Sequence, residues 1–209
     1  MVISKNKKFI FIHIPKSAGT SIQSALELNL NNENHWAVSK TTKHQSLKDL
    51  ITLYEHSNFL EKLVQDFSFL NYYKFAVVRN PFDRLLSLYN YLKKYEVRKE
   101  IKSVETFEEF IEKLEDENSW VSGLYSAKTQ LSYLVDMQGV MSIDLVGRFE
   151  NIPFFLNELE AKIDMKLELK QMNVSQLVKP SYRQVYSTYS RKIIEDKFVD
   201  DLNSFNYEF

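Results

Sequence analysis

Cysteine is absent from the 209 residues. That removes disulfides, thiolate nucleophiles and cysteine-ligated zinc or iron–sulfur centres together, and it fits a reducing compartment. Glycine and proline are scarce, at four each, so no Pro/Gly-rich linker or low-complexity tract divides the chain. An excess of one charge is also missing. Twenty-seven basic and 28 acidic side chains leave a formal charge of −1, and no global field advertises a nucleic acid or a membrane surface as partner. Any anion site must be local. No apolar run approaches the roughly 18 residues of a membrane span. The four histidines, His13, His35, His44 and His56, contain no HExxH pair, so no metal site is expected.

What is present is a globular composition, 44% hydrophobic and 26% charged, long enough to bury a sizeable core. One domain, residues 1–209, is the expectation. The opening MVISKNKKFIFIHIPK ends its apolar stretch at His13 and Lys16 with no small-residue cleavage site after it. It reads as a first strand and not as a signal peptide, and the protein is expected to stay in the cytoplasm.

Phe9 to Ile14 (FIFIHI) is apolar on both alternating faces, as a central strand covered by helices would be. Pro15 to Thr20 interrupts it, and Ser21 to Leu28 resumes at helical spacing with Ile22, Ala25 and Leu26 on one side. The Asn-rich stretch Asn29 to Lys43 reads as loop, and helix-like runs follow within Ser46 to Asp66. A second strand–loop–helix unit comprises Lys74 to Val78, the break Arg79-Asn80-Pro81, and Phe82 to Lys94 with an apolar stripe of Phe82, Leu85, Leu86, Tyr89 and Leu92. Thr106 and Glu109 match a capping box. Ile143 to Phe149 is a further strand, Pro153 stands in the first turn of a helix, and Ile194, Phe198 and Leu202 give one amphipathic C-terminal run. Strands alternating with helices predict an α/β fold with a mostly parallel sheet.

Both strand–loop–helix units place a cation just after the strand. In open α/β sheets that is the ligand edge, where helix N-termini aim backbone N–H groups outward. Lys16 enters a loop of small residues, Ser17, Ala18, Gly19, Thr20 and Ser21, that can wrap closely round a tetrahedral anion. Arg79 offers a planar fork suited to a phosphate, and Ser87 lies off the apolar stripe with Asp83, Asn90 and Lys94. Two anion sites on adjacent strand ends point to a ligand with two separated phosphate-type groups. The nucleotide P-loop pattern GxxxxGK[ST] is missing, because Lys16 precedes the only loop glycine. No strand ends in a clear acid for magnesium.

The stretch Phe11 to Ile22 (FIHIPKSAGTSI) resembles the 5′-phosphosulfate-binding loop of the sulfotransferases related to heparan sulfate 2-O-sulfotransferase and the carbohydrate sulfotransferases. Ala76 to Tyr91 (AVVRNPFDRLLSLYNY) resembles that family's 3′-phosphate motif, an arginine followed eight residues later by a serine. Gln130 to Leu134 (QLSYL), Val146 to Ile152 (VGRFENI) and Asp201 to Phe209 (DLNSFNYEF) are weaker echoes. The resemblance implies a three-layer, P-loop-like sulfotransferase fold using 3′-phosphoadenosine 5′-phosphosulfate (PAPS) as co-substrate, without a metal. It implies that Lys16 contacts the bridging oxygen and the 5′-phosphosulfate, with Ser17, Ala18, Gly19, Thr20 and Ser21 as cradle. Arg79 and Ser87 would hold the 3′-phosphate, and Arg183, in Lys179 to Arg183 (KPSYR), falls where the family closes over the nucleotide.

By the same resemblance His44, in Thr42-Lys43-His44-Gln45-Ser46, falls where a general base stands. A histidine pKa of roughly 6.5 suits that task near neutral pH. His13 reads as a buried, hydrogen-bonded strand histidine, and His35 and His56 as surface residues. The family's membrane-anchored, disulfide-bearing members contrast with this chain. The acceptor is a hydroxyl, expected on a carbohydrate. Two other readings stand beside this one: a magnesium-dependent small-molecule or nucleotide kinase, and an inactive nucleotide- or glycan-binding module of the same fold.

Overall fold

The computed structural model describes residues 1–30, 35–37, 44–56, 71–169 and 181–209, with backbone alone at 35–37 and 53–56. Contacts divide the chain into two compact units, Met1–Val78 with Gln130–Met172, and Arg79–Thr129 with Asn173–Phe209.

The first unit is built on a five-stranded sheet in the order β3-β1-β2-β4-β5. Its strands are β1 (Val2–Ser4), β2 (Phe9–Ile12), β3 (His35–Ala37), β4 (Tyr73–Val78) and β5 (Leu145–Arg148). β2 pairs parallel with β4, and β4 with β5, while β1 runs antiparallel to both β2 and β3. Four strands therefore share one direction. The continuous apolar run of β2 is explained by its central place, since Phe9, Ile10, Phe11 and Ile12 are all fully buried. Phe9, Phe11, Phe75 and Val77 face a helical layer made by Ile22, Ala25 and Leu26 of α1 (Gly19–Asn29) and by Phe155, Leu159 and Ile163 of α6 (Ile152–Ile163). Ile10, Ile12, Ala76 and Val78 on the opposite face are buried as completely. The unit also holds α2 (Leu47–His56), which packs on α5 (Leu131–Leu134). The α/β architecture with a mostly parallel, helix-flanked sheet is the one the alternating pattern predicts.

Two elements depart from the expected boundaries. The opening is a hairpin and not one strand, because Lys5 to Lys8 turn the chain, with Lys8 at φ 51°. The Asn-rich stretch read as loop contains β3, a three-residue edge strand paired to β1. Three residues carry no readable period, and cross-strand pairing decides their conformation.

The second unit is helical. Its core joins α3 (Pro81–Tyr95), α4 (Phe107–Glu115) and α7 (Thr188–Lys197) through Phe82, Leu85, Leu88, Phe110, Ile111, Ile193 and Phe198. Asn80 caps α3 by accepting the Phe82 N–H at 3.1 Å, with Pro81 in the first turn. The Thr106–Glu109 capping box closes the start of α4. The expected stripe of α3 needs one correction. Leu86 and Tyr89 are half-buried, while Arg84 is fully buried. Its guanidinium donates to the carbonyls of Ser126 (3.0 Å) and Lys128 (2.6 Å) and lies 5.7 Å from the Phe198 ring. The C-terminal run is likewise two helices, α7 and α8 (Val199–Ser204), separated at Phe198.

Candidate functional site

β2 and β4 are neighbours in parallel, with Ile12 paired to Ala76, so their C-terminal ends share one sheet edge. The loop that leaves β2 takes an uncommon course for residues with side chains. Lys16 sits at φ 67° and Ala18 at φ 61°, ψ 9°, both left-handed, with Ser17 between them at negative φ. Such a conformation costs about 1–2 kcal/mol per non-glycine residue. An alternation of hand is the kind of backbone course that can turn successive N–H groups toward one side, as in anion-binding concavities. Ala18 is also the N-cap of α1, and no side chain caps that helix among the described residues. The Ser21 N–H donates to the Ala18 carbonyl at 3.0 Å, and the donors before it stand at the positive end of the helix dipole. Lys16 is half-buried, Ser17 buried, Ala18 and Ser21 half-buried, and Thr20 exposed.

Two residues outside this stretch shape the loop. The Ser17 hydroxyl donates to Gln130 Oε1 at 3.4 Å, and Gln130 is fully buried. The QLSYL echo thus has a physical role as a brace beneath the loop. Gly19 is needed for clearance. A Cβ there would stand 2.0 Å from Cδ2 and 2.3 Å from Nε2 of His13. Gly147 of β5 serves the same end elsewhere, since a Cβ would meet the Phe155 ring of α6 at 2.2 Å.

His13, just beyond β2, is 2% exposed, and its Nδ1 lies 3.1 Å from Gln23 Oε1. This is the buried, hydrogen-bonded histidine that the sequence predicts. Its ring meets that of His44 edge-on, with centroids 4.6 Å apart and planes at 80°. His44 Nδ1 lies 3.3 Å from the His13 carbonyl oxygen. A carbonyl only accepts, so Nδ1 of His44 donates there, and in the neutral ring the lone pair lies on Nε2. The base candidate is thus one imidazole ring away from the first residue of α1, all within the first unit. Gln45, next along the chain, is buried, and its Oε1 has no hydrogen-bond partner among the described residues. His35 and His56 fall where side chains are outside the described residues.

The remaining candidates lie in the second unit. Arg79 donates from Nε (2.8 Å) and from its terminal nitrogen (2.7 Å) to Asp83 Oδ2. Ser87, half-buried, follows Asp83 by one turn of α3. Tyr186 donates its hydroxyl to the Phe82 carbonyl at 2.9 Å. Burial first, and the Asp83 carboxylate next, push its phenol well above the ordinary tyrosine value. Arg183 is exposed, lies 5.1 Å from the Tyr182 ring and donates to the Phe209 carbonyl at 2.9 Å. Lys179 and Pro180 of its motif lie outside the described residues. Sequence reasoning passed over Gln23, Glu27, Arg84 and the role of Gln130. Only the i, i+4 spacing of Gln23 and Glu27 could have drawn notice.

No group of three or more metal-ligating side chains occurs among the described residues, and no helix among them is long and apolar enough to cross a membrane. Comparison with known proteins found no match among the curated proteins and none among the solved structures. A model of the sulfotransferase family matches residues 1–208. The chain belongs to that family and is a sulfotransferase, a class of enzyme that typically takes its sulfuryl group from PAPS.

Proposed function

We propose that this sulfotransferase transfers the sulfuryl group of PAPS to the hydroxyl of a carbohydrate acceptor, with His44 as general base. The observation that carries the reading is the joint placement of an anion cradle and a base. The left-handed turns at Lys16 and Ala18 open on the start of α1, where no side chain caps the helix, and one imidazole away stands His44 with its Nδ1 on the His13 carbonyl.

In this reading the acceptor oxygen forms a bond to sulfur while the bond from sulfur to the bridging 5′-phosphate oxygen breaks. The hydroxyl proton passes to His44 Nε2. The electron pair leaves with adenosine 3′,5′-bisphosphate, and Lys16, the N–H groups of Ser17 to Thr20 and the Ser21 hydroxyl meet the growing charge. Removing one such preorganised donor typically costs about 10²–10³ in rate. Arg79, held by Asp83, and Ser87 are assigned to the 3′-phosphate, and Arg183 to the nucleotide's cover. The reading requires no metal. It treats residues 1–209 as one sulfotransferase domain, which a family match running through both units supports, and expects the enzyme in the cytoplasm.

The test is calorimetric titration with adenosine 3′,5′-bisphosphate, with AMP, and with ATP plus magnesium. Selective binding of the bisphosphate, weakened in Arg79→Ala, is the expected result. A preference for ATP with magnesium would overturn the reading in favour of a kinase. PAPS turnover against a panel of methyl glycosides, lost in His44→Ala with bisphosphate affinity retained, tests the acceptor class and the base.

A further inference from the structure

Glu27, Gln23 and His13 form a chain that ends on His44. Gln23 Nε2 donates to Glu27 Oε1 at 2.7 Å, and Gln23 Oε1 faces His13 Nδ1 at 3.1 Å. A carboxylate oxygen only accepts, so Glu27 fixes which end of the Gln23 amide bears the NH₂ group. The amide oxygen is then the atom presented to His13, which must donate from Nδ1. In the neutral ring the His13 lone pair lies on Nε2, and that atom is turned toward Gly19. His13 in turn offers its carbonyl to His44 Nδ1 and its ring to the edge of the His44 ring.

We infer that His13 is a positioning residue, set in one tautomer by Gln23 and Glu27, which fixes both the base nitrogen of His44 and the start of the donor loop. It takes no proton during turnover. Three features support a positioning role over packing alone. The ring is 2% exposed, yet its polar contacts run in one consistent donor-to-acceptor sequence. The same residue touches the base and the first residue of α1. Gln23 and Glu27 sit one turn apart on α1, so a helix whose N-terminus forms the cradle also sets the imidazole behind it. The inference rests on the reading of His44 as base, but the tautomers it requires can be observed without any turnover.

The experiment is long-range ¹H–¹⁵N correlation of the imidazoles in the full chain, which has four histidines. Assignment uses His35→Asn and His56→Asn. Two of the four rings, those of His13 and His44, should show the Nδ1–H pattern. Gln23→Leu should move His13 toward the averaged pattern of two exchanging tautomers and shift the His44 resonances. With PAPS and methyl glycosides the same variant should lower kcat, by up to about 10²-fold for a misplaced catalytic group, and change KM for PAPS by much less, since the ring still fills its place against Gly19. Glu27→Gln, which frees the Gln23 amide to turn over, should give an intermediate spectrum. An Nε2–H pattern for His13 or His44 in the wild type, or unchanged ring spectra in Gln23→Leu, would overturn the inference. Failure of the functional reading registers separately: wild-type turnover by His44→Ala, with the tautomers as stated, would displace the base and leave the positioning chain standing.

Discussion

Adding a single methyl group at Gly19 tests the packing between the donor loop and the histidine pair. The φ of Gly19 is not in the left-handed region, so backbone strain does not enter and the effect is steric. The new Cβ would stand 2.0 Å from His13 Cδ2, and ordinary contact begins at 3.4 Å. The ring or the helix start must yield by about 1.4 Å. The ring has little room, being stacked on Phe11 with centroids 5.9 Å apart, set against His44, and tied to Gln23. Overpacking of this kind costs about 1–3 kcal/mol, and a broken His13–Gln23 bond adds about 1 kcal/mol. Gly19→Ala is therefore expected to lose about 2–4 kcal/mol, a large share of the 5–15 kcal/mol typical of a folded protein. Urea unfolding measures the loss as a fall in midpoint at constant slope. The control is His13→Ala, which removes the ring that the methyl strikes. In the double variant the Gly19→Ala penalty should largely vanish, giving a coupling of about 2–4 kcal/mol, at or just above the upper end of the 0.5–3 kcal/mol range seen for residues in contact. A Gly19→Ala change below about 0.5 kcal/mol, or additive behaviour in the double variant, would refute the clearance argument.

Arg84→Met keeps the hydrophobic stem but leaves the Ser126 and Lys128 carbonyls without their donors. Hydrogen bonds to a charged group contribute about 1.5–3 kcal/mol each; for these part-buried pairs a loss toward the lower end is expected in urea midpoints, and a neutral outcome would show that those carbonyls find other partners. The Tyr186 phenol, raised first by burial and then by Asp83, contributes stability that is complete below the ordinary value of 10.0 and is lost as pH climbs through the higher folded value. Tyr186→Phe should flatten that part of the alkaline limb of a thermal-stability profile, and an unaltered limb would assign it to other groups. Glu160 is held below its ordinary 4.5, chiefly by the Leu167 N–H and then by Lys166. Its contribution is present above that value and lost as pH falls through the lower folded one, so Glu160→Gln should shrink the acid-side loss of stability.

The sequence alone determined the parts whose signal is local. An all-apolar run marked β2 as a central strand, Arg79-Asn80-Pro81 marked the break between a strand and a helix, the Thr106–Glu109 box marked a helix start, and a cation followed by small residues marked the loop before α1. These are readable because capping, turn chemistry and hydrophobic period act over a few neighbouring residues. The match of the first two motifs to one family follows from the same local order. Tertiary structure decided what depends on distant partners. β3 exists because β1 offers it an edge, and Arg84 enters the core because two carbonyls some forty residues away receive it. Gly19 is required by the His13 ring and not by its own backbone. The Gln130 brace joins Ser17 across 113 positions, and His44 Nδ1 meets a carbonyl 31 residues earlier. A hydrogen bond or a steric limit between residues so far apart leaves no period in the chain, and only folding brings the two atoms to the distance at which it acts.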